Sequence, residues 1–219
     1  MQMTERGLLA LAGHEGVVPA PYSDSTGTWT FGIGHTAAAG PPDPAQMPRG
    51  MPADLDAGIC EAFRVFRADL ATYEAEVLAA VTVPLAPHEF DALVSFHYNT
   101  GGIAKAALTR HLNAGNRVAA ANAFLNWRQP AEIIPRREAE RDLFLHGRYP
   151  SGPIPIWSVD STGRVDFSRP TRSLTEDEAL ALLRPSPLPT PPVLVPAPDT
   201  PNGWLARLAA FFATLIRRA

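Results

Sequence analysis

Three polar side chains near the start of the chain have the types and spacing that acid-assisted hydrolysis needs. Asp24 follows Glu15 by nine positions, and Thr30 follows Asp24 by six. The run ends in Gly-Ile-Gly-His at 32–35. A carboxylic acid that gives a proton and a carboxylate that orients water can together cleave a glycosidic bond. The three residues therefore indicate a glycosidase site if the fold brings them together.

The elements around these residues can place them in one cleft. The sequence predicts a helix over 4–14, so that Glu15 falls at its C-terminus. Two extended runs, 20–23 and 28–32, flank an Asp-Ser-Thr-Gly turn. Because side chains alternate along a strand, Thr30 points away from the aromatic side chains of its own run. If those aromatic side chains pack inward, Thr30 faces a polar cleft.

The surroundings of each residue suggest its role. A general acid must hold a proton at the working pH, and a helix C-terminus favours the protonated form of Glu15 through the helix dipole. Asp24 lies in a polar turn and is expected to stay ionised, so it can orient or deprotonate water. The hydroxyl of Thr30 both donates and accepts, so it can hold that water. This arrangement places the acid on one side of the sugar and the water on the other.

The segment around these residues resembles the active-site segment of the phage-type lysozymes, glycoside hydrolase family 24. Glu15 matches the family's catalytic acid, and Thr30 matches the Thr before Gly-x-Gly-His. Asp24 matches the Asp of a Tyr-x-Asp pattern that begins at Tyr22, a supporting residue. The resemblance extends to about residue 149. It implies an endolysin: a muramidase that hydrolyses the β-1,4 bond between N-acetylmuramic acid and N-acetylglucosamine of peptidoglycan, with inversion expected.

The same resemblance assigns the rest of the site. Arg137 matches the family's arginine beside the catalytic acid and is counted with the substrate-binding residues. Thr36 and Tyr98 are expected to line the sugar groove. His35 and Asp69 match a histidine–aspartate pair that joins the two lobes and so supports the site.

Apolar periodicity downstream predicts a helical lobe. A loop over 37–52 leads to a long helix over 54–81 and a second helix over 87–98. Shorter helices are expected at 104–113, 117–127 and 136–146. The predicted class is therefore α+β, a lysozyme-like fold with a small β-hairpin lobe, a long connecting helix and a larger helical lobe. Such an arrangement leaves a groove between the lobes.

Composition excludes several other classes of protein. The chain has 219 residues, of which 46% are hydrophobic, enough for a sizeable core. A net charge of −3 argues against nucleic acid as a partner. The single cysteine excludes an intrachain disulfide framework, and the histidines show no metal-ligand spacing, so no metal or cofactor is expected.

The expected partner is peptidoglycan, and the expected state is a monomer. The N-terminus lacks a basic segment followed by an unbroken apolar run, so no signal peptide is expected. We therefore expect the protein to be made in the host cytoplasm and to reach the periplasm and cell wall through a holin or similar pore.

The sequence divides into four parts. Residues 1–150 form the catalytic domain, and 151–184 form an extension with a hairpin and a short helix. Residues 185–201 contain eight prolines in seventeen positions and are expected to be a linker. Residues 202–219 have the pattern of a basic amphipathic helix. That helix could contact membrane or lipopolysaccharide, or pack on its own domain or a partner.

Three alternative functions stay open from the sequence. A lytic transglycosylase needs the acid but no water-positioning Asp24 and Thr30, and it would leave anhydro-sugar ends. A component of a phage tail or gene-transfer agent would be found in purified particles. A membrane-active peptide on an inert body would permeabilise membranes without Glu15 but not without 202–219.

Overall fold

The first element is a helix that ends at the candidate acid. In the computed structural model, which describes residues 1–183, α1 spans Glu5–Glu15. Thr4 caps it, because its Oγ1 accepts a 3.0 Å hydrogen bond from the N–H of Gly7. Gly16 ends the helix with a φ of 75°, a conformation that glycine adopts without steric cost. This cap turns the chain directly into the sheet.

A small antiparallel sheet follows, with neighbouring strands in sequence order. Its strands are β1 (Val18–Ser23), β2 (Trp29–Gly32) and β3 (His35–Thr36). The third strand was not predicted from the sequence. Phe31 packs into the core, whereas Trp29 is only partly buried, with the guanidinium of Arg49 stacked 3.5 Å from the centre of its ring. The predicted loop over 37–52 contains two single-turn 3-10 helices.

A helix of 26 residues, α2 (Leu55–Ala80), connects the sheet to a helical lobe. Asp54 caps it by accepting a hydrogen bond from the N–H of Ala57. The helices of the lobe are α3 (Pro87–Thr100), α4 (Ala107–Asn113), α5 (Arg117–Ala123) and α6 (Ile134–His146). Each begins and ends within a few residues of its predicted bounds. The predicted helix over 117–127 changes to 3-10 geometry at Phe124.

The core is built around α3, which packs against α1, α2 and α6. Its residues from Glu89 to His97 are all buried, including Phe90, Leu93 and Phe96. Burying each such large apolar side chain contributes about 1.5–3 kcal/mol. This central helix therefore fixes α1 and α6, which carry the charged residues of the candidate site.

The extension beyond residue 150 packs onto α1, α2 and β1. Its elements are β4 (Ile154–Ile156), β5 (Ser158–Val159), β6 (Val165–Asp166), β7 (Arg172–Leu174) and α7 (Glu176–Leu183). Strand β4 pairs with β7 and β5 with β6, both antiparallel. Ile154, Ile156 and Leu174 are buried in the main core. Residues 1–183 therefore fold as one compact unit.

The predicted α+β class, with a small strand lobe, a long helix and a larger helical lobe, is confirmed. The hairpin and the short capped helix expected after residue 150 are present as β5–β6 and α7. The predictions for 185–201 and 202–219 lie outside the described residues. Within residues 1–183, none of the helices has the length and apolar character that crossing a bilayer requires.

Candidate active site

The strand register brings three of the predicted side chains onto one face of the sheet. Thr30 on β2 lies opposite Tyr22 on β1 and opposite Thr36 on β3. Directly opposed residues of antiparallel strands project to the same side. The alternate pair, Phe31 and His35, projects to the other face and is buried. Thr30 therefore lies between Tyr22 and Thr36, as the alternation along the strand predicted.

Asp24 is held by the turn that follows β1. Its Oδ1 accepts three hydrogen bonds, from the N–H of Thr26 at 2.8 Å, the hydroxyl of Thr26 at 2.7 Å and the N–H of Thr28 at 2.9 Å. The Thr26 hydroxyl, followed by the Thr28 N–H, lowers the pKa of Asp24, because these bonds favour the carboxylate. Oδ2 accepts no hydrogen bond from the described residues, so it is free to hold a water molecule.

Glu15 is held by an arginine from the far end of the chain. Arg136 Nη1 on α6 donates to Glu15 Oε1 at 2.6 Å. The Glu15 side chain is 26% exposed, and within residues 1–183 its Oε2 has no hydrogen-bond partner. The arginine therefore fixes the carboxyl group by one oxygen and leaves the other open to a substrate.

The arginine beside Glu15 is Arg136 and not Arg137, so the prediction for Arg137 is wrong. Successive residues of a helix point about 100° apart, and the phase of α6 brings the guanidinium of Arg136 into hydrogen-bond contact with Glu15. Arg137 is 0% exposed and therefore out of reach of a substrate. Its Nη2 donates to Asn99 Oδ1 at 2.6 Å, and its Nη1 lies 2.8 Å from Glu140 Oε2.

Glu140 connects the two arginines, and the sequence analysis overlooked it. Its Oε1 accepts from Arg136 Nε at 3.1 Å and from the Ser95 hydroxyl at 2.8 Å. Burial raises the pKa of Glu140, and the charges of Arg137 and Arg136 oppose that shift. The i,i+4 spacing of an arginine and a glutamate on a predicted helix was the available signal. Glu140 therefore positions Arg136, which in turn positions Glu15.

Two tyrosines lie close to the carboxylates. Burial, followed by the charges of Glu15 and Asp24, raises the pKa of Tyr22 to about 12. Burial and then the charge of Glu15 raise the pKa of Tyr98, whose hydroxyl donates to the Ile33 carbonyl at 2.5 Å. The charges of Glu15 and Asp24 thus both act on the phenol of Tyr22.

A cavity of about 500 Å³ lies between β3 and the helices α2 and α3, and Thr36, the strand partner of Thr30, is one of its lining residues. Thr36 and Tyr98 both line it, which is where the resemblance places them. Tyr73 and Glu76 of α2 and His97 of α3 line its other side. A groove of this size with mixed polar and aromatic walls is suited to a saccharide. Whether Thr36 and Tyr98 contact sugar stays a prediction.

His35 and Asp69 also lie where the resemblance places them. His35 Nδ1 is 2.9 Å from Asp69 Oδ2, which joins β3 to α2, and Nε2 is 2.7 Å from the Pro42 carbonyl. The carbonyl only accepts, so Nε2 carries a proton. Burial raises the pKa of Asp69, and the hydrogen bond to His35 opposes that shift. The pair ties the sheet to the long helix beside the groove.

The extension holds the hairpin that carries Asp24. The Ser23 N–H donates to the Gly163 carbonyl at 2.9 Å, and Gly163 lies so close to the Trp29 ring that a Cβ there would come within 2.5 Å. The sequence analysis missed this contact. The turns at 24–27 and 160–163 share the sequence Asp-Ser-Thr-Gly and form the same side-chain hydrogen bonds, but this repeat does not predict that they meet.

The structure pairs Thr30 with Tyr22 across the sheet and lines the groove with Thr36 and Tyr98, and that Glu15, Asp24 and Thr30 act together at one site stays a prediction. Thr30 is 3% exposed, and its hydroxyl donates to the Thr28 carbonyl at 3.2 Å, which leaves its oxygen able to accept a hydrogen bond. Such a site can protonate one group and orient water at another. Among the described residues, no cluster of three or more metal-ligating side chains is present.

The chain is similar over about two thirds of its length to phage lytic enzymes. The family model described as phage lysozyme matches residues 12–140. The endolysin of Salmonella phage P22 is 37% identical over 151 residues, which cover 66% of this chain and 99% of that relative. An endolysin from Escherichia coli O157:H7 phage FAHEc1 has a TM-score of 0.59 and 30% identity, covering 68% of this chain and 97% of that one. The crystal structure of a P22 lysozyme mutant has a TM-score of 0.57 and 33% identity, and the match covers 66% of this chain and 99% of that one.

Proposed function

The chain belongs to the phage lysozyme family and is a peptidoglycan-degrading muramidase, and on that basis we propose the roles of its site residues. Glu15 is the general acid, and Asp24 and Thr30 position the attacking water. The bond cleaved is the β-1,4 linkage from N-acetylmuramic acid to N-acetylglucosamine. The enzyme acts as an endolysin that lyses the host cell.

The free oxygens of the two carboxylates define the proposed reaction. Oε1 of Glu15 accepts from Arg136, so the transferable proton sits on Oε2 and passes to the glycosidic oxygen as the bond to the anomeric carbon breaks. The free Oδ2 of Asp24 accepts a proton from water as the water oxygen bonds to that carbon. The Thr30 hydroxyl accepts a hydrogen bond from the other hydrogen of that water, which stays on the new anomeric hydroxyl group. Attack from the side opposite the leaving group would invert the anomeric configuration.

One observation carries this proposal. Each carboxylate is anchored by hydrogen bonds to one oxygen only, and both charges act on the same phenol of Tyr22. Asp160 makes the same bonds in the second turn, so what distinguishes Asp24 is its position directly after β1, beside the Tyr22–Thr30 strand pair. The fixed geometry supports one acid and one water-orienting base at a single site.

The experiment is muropeptide analysis of purified Gram-negative sacculi, digested by the wild-type protein and by Glu15→Gln. The wild type should release fragments with reducing muramic acid ends, and the variant should lose about a hundredfold or more of the rate. Glu138→Gln, an exposed position on α6, is the matched control and should keep wild-type activity. Anhydro-sugar ends, or a folded Glu15→Gln protein with near-normal rates, would contradict the proposal.

The route to the cell wall is part of the same proposal. We expect a monomer that needs a holin or similar pore; for 202–219, contact with membrane or lipopolysaccharide and packing on its own domain or a partner are both open. Expression in the cytoplasm should leave cells intact until chloroform opens the inner membrane. Lysis without permeabilisation would show that no separate pore is needed.

A further inference from the structure

We propose that Trp157 and Phe167, on the extension, form a saccharide subsite on the side of the catalytic residues opposite the groove. The inference rests on the proposed function. The two rings meet edge to face with centres 5.4 Å apart. Phe167 is 66% exposed, and it is the one aromatic residue among the four large hydrophobic residues that are exposed within residues 1–183. An exposed phenylalanine ring that rests on a half-buried tryptophan offers an apolar surface to a ligand.

The pair adjoins the catalytic acid. A Cβ on Gly16, the residue after Glu15, would lie 2.5 Å from the indole Nε1 of Trp157. The backbone N–H of Trp157 donates to the Val17 carbonyl at 2.8 Å. Trp157 also packs on the same small apolar cluster as Tyr22, the phenol that lies near both carboxylates. The indole therefore packs against the backbone of the residue that follows Glu15.

The order of the strands sets the path of a bound glycan. The groove lies at the β3 edge, where Thr36 lines it; Thr30 lies on β2, Asp24 follows β1, and Glu15 ends the helix that leads into β1. The extension adds to the opposite edge, through the Val17–Ile156 bridge and the bond from Ser23 to Gly163. A linear glycan that leaves the groove and crosses the catalytic residues must next pass over the extension. The groove and the aromatic pair therefore hold sugars on opposite sides of the scissile bond.

The chemistry of the pair fits N-acetylated hexose rings. The C–H faces of a pyranose ring are apolar and pack against an aromatic side chain. The indole N–H of Trp157 has no acceptor among the described residues, so it can donate to a sugar hydroxyl or an acetamide carbonyl. A neutral stacking surface needs no charge on the ligand, so the expected ligand is the glycan backbone.

The test separates binding from turnover. In the inactive Glu15→Gln background, binding to insoluble purified sacculi is measured by sedimentation with and without Phe167→Ala. In the active protein, KM and kcat are measured on the same sacculi. The matched control is Val118→Ala, because Val118 is 63% exposed and lies on α5. Trp157→Phe removes the N–H but keeps most of the packing.

Phe167→Ala should weaken sacculus binding and raise KM by about threefold to tenfold, as expected for one stacking contact, with a much smaller effect on kcat. Phe167→Tyr should restore binding, and Trp157→Phe should weaken it. Val118→Ala should match its parent protein in both assays. If Phe167→Ala and Val118→Ala bind sacculi equally well, the proposed subsite is contradicted, while the proposed muramidase activity is unaffected. A wild-type protein that cannot hydrolyse sacculi contradicts the proposed function, whatever the binding results are.

Discussion

Replacing Arg136 with lysine tests how the catalytic acid is held. The guanidinium donates to Glu15 at 2.6 Å, to Glu140 at 3.1 Å and to the Ser95 carbonyl at 3.2 Å. A lysine keeps the charge but not the planar fork, so its ammonium cannot serve both carboxylates in these directions. Arg136→Lys should therefore release Glu15 from its position while leaving a cation in the cluster.

The expected size of the effect follows from that contact. A hydrogen bond between charged groups contributes about 1.5–3 kcal/mol. If the bond orients Glu15 in the transition state, its loss lowers kcat by about tenfold to a hundredfold, since each 1.36 kcal/mol is a factor of about ten. The assay is the initial rate on purified sacculi, with circular dichroism to show that the variant is folded.

Two arginines on the same helix serve as comparisons. Arg141 pairs with the adjacent Asp142 in a partly exposed ion pair, so Arg141→Lys should keep kcat. Arg137→Lys should mainly lower the melting temperature, by about 2–4 °C for each 1 kcal/mol lost. If Arg136→Lys kept kcat within a factor of two, or if Arg137→Lys were the variant that lost it, this account of the acid would be refuted.

Two further predictions concern the turns. Thr26→Val removes the hydrogen bond from the Thr26 hydroxyl, which lowers the pKa of Asp24 more than any other contact. The pKa of Asp24 should therefore rise towards its ordinary value. Because Asp24 must be ionised to act on water, the acidic limb of the kcat/KM profile should move to higher pH. Thr162→Val, the same change in the second turn, should leave the limb in place, and equal shifts would contradict the assignment. Gly163→Ala, at a φ of 89° with an aromatic ring in the way, should lower the melting temperature and kcat more than Gly115→Ala, at 79° with open space. Thermal denaturation and sacculus hydrolysis measure both, and equal losses would show that the contact with the hairpin has no role.

The sequence by itself specified most of the architecture of residues 1–150. Alternation along β2 set the face of Thr30, and apolar spacing of three and four set α2 and α3. These are local signals, because each depends on residues within a turn or two of one another. The bonds by which Thr4 and Asp54 cap α1 and α2 are local in the same sense, since each joins residues three positions apart.

For the extension beyond residue 150, local sequence signals predict the elements but not how they pack on the rest of the fold. The hairpin around 160–163 and the capped helix over 176–183 follow from turn and cap chemistry. Their docking on β1 does not, because the partners Ser23 and Gly163 are 140 positions apart and no local pattern links them.

The charged cluster around Glu15 shows most clearly what the sequence determined and what only the tertiary structure decided. The sequence determined that an acid, a base and a hydroxyl occur at 15, 24 and 30, and that arginines begin the last helix of the lobe. Only the tertiary structure decided which arginine reaches the acid. A shift of one residue turns a helical side chain by about 100°, so the choice between Arg136 and Arg137 depends on how α6 packs against α1 and α3.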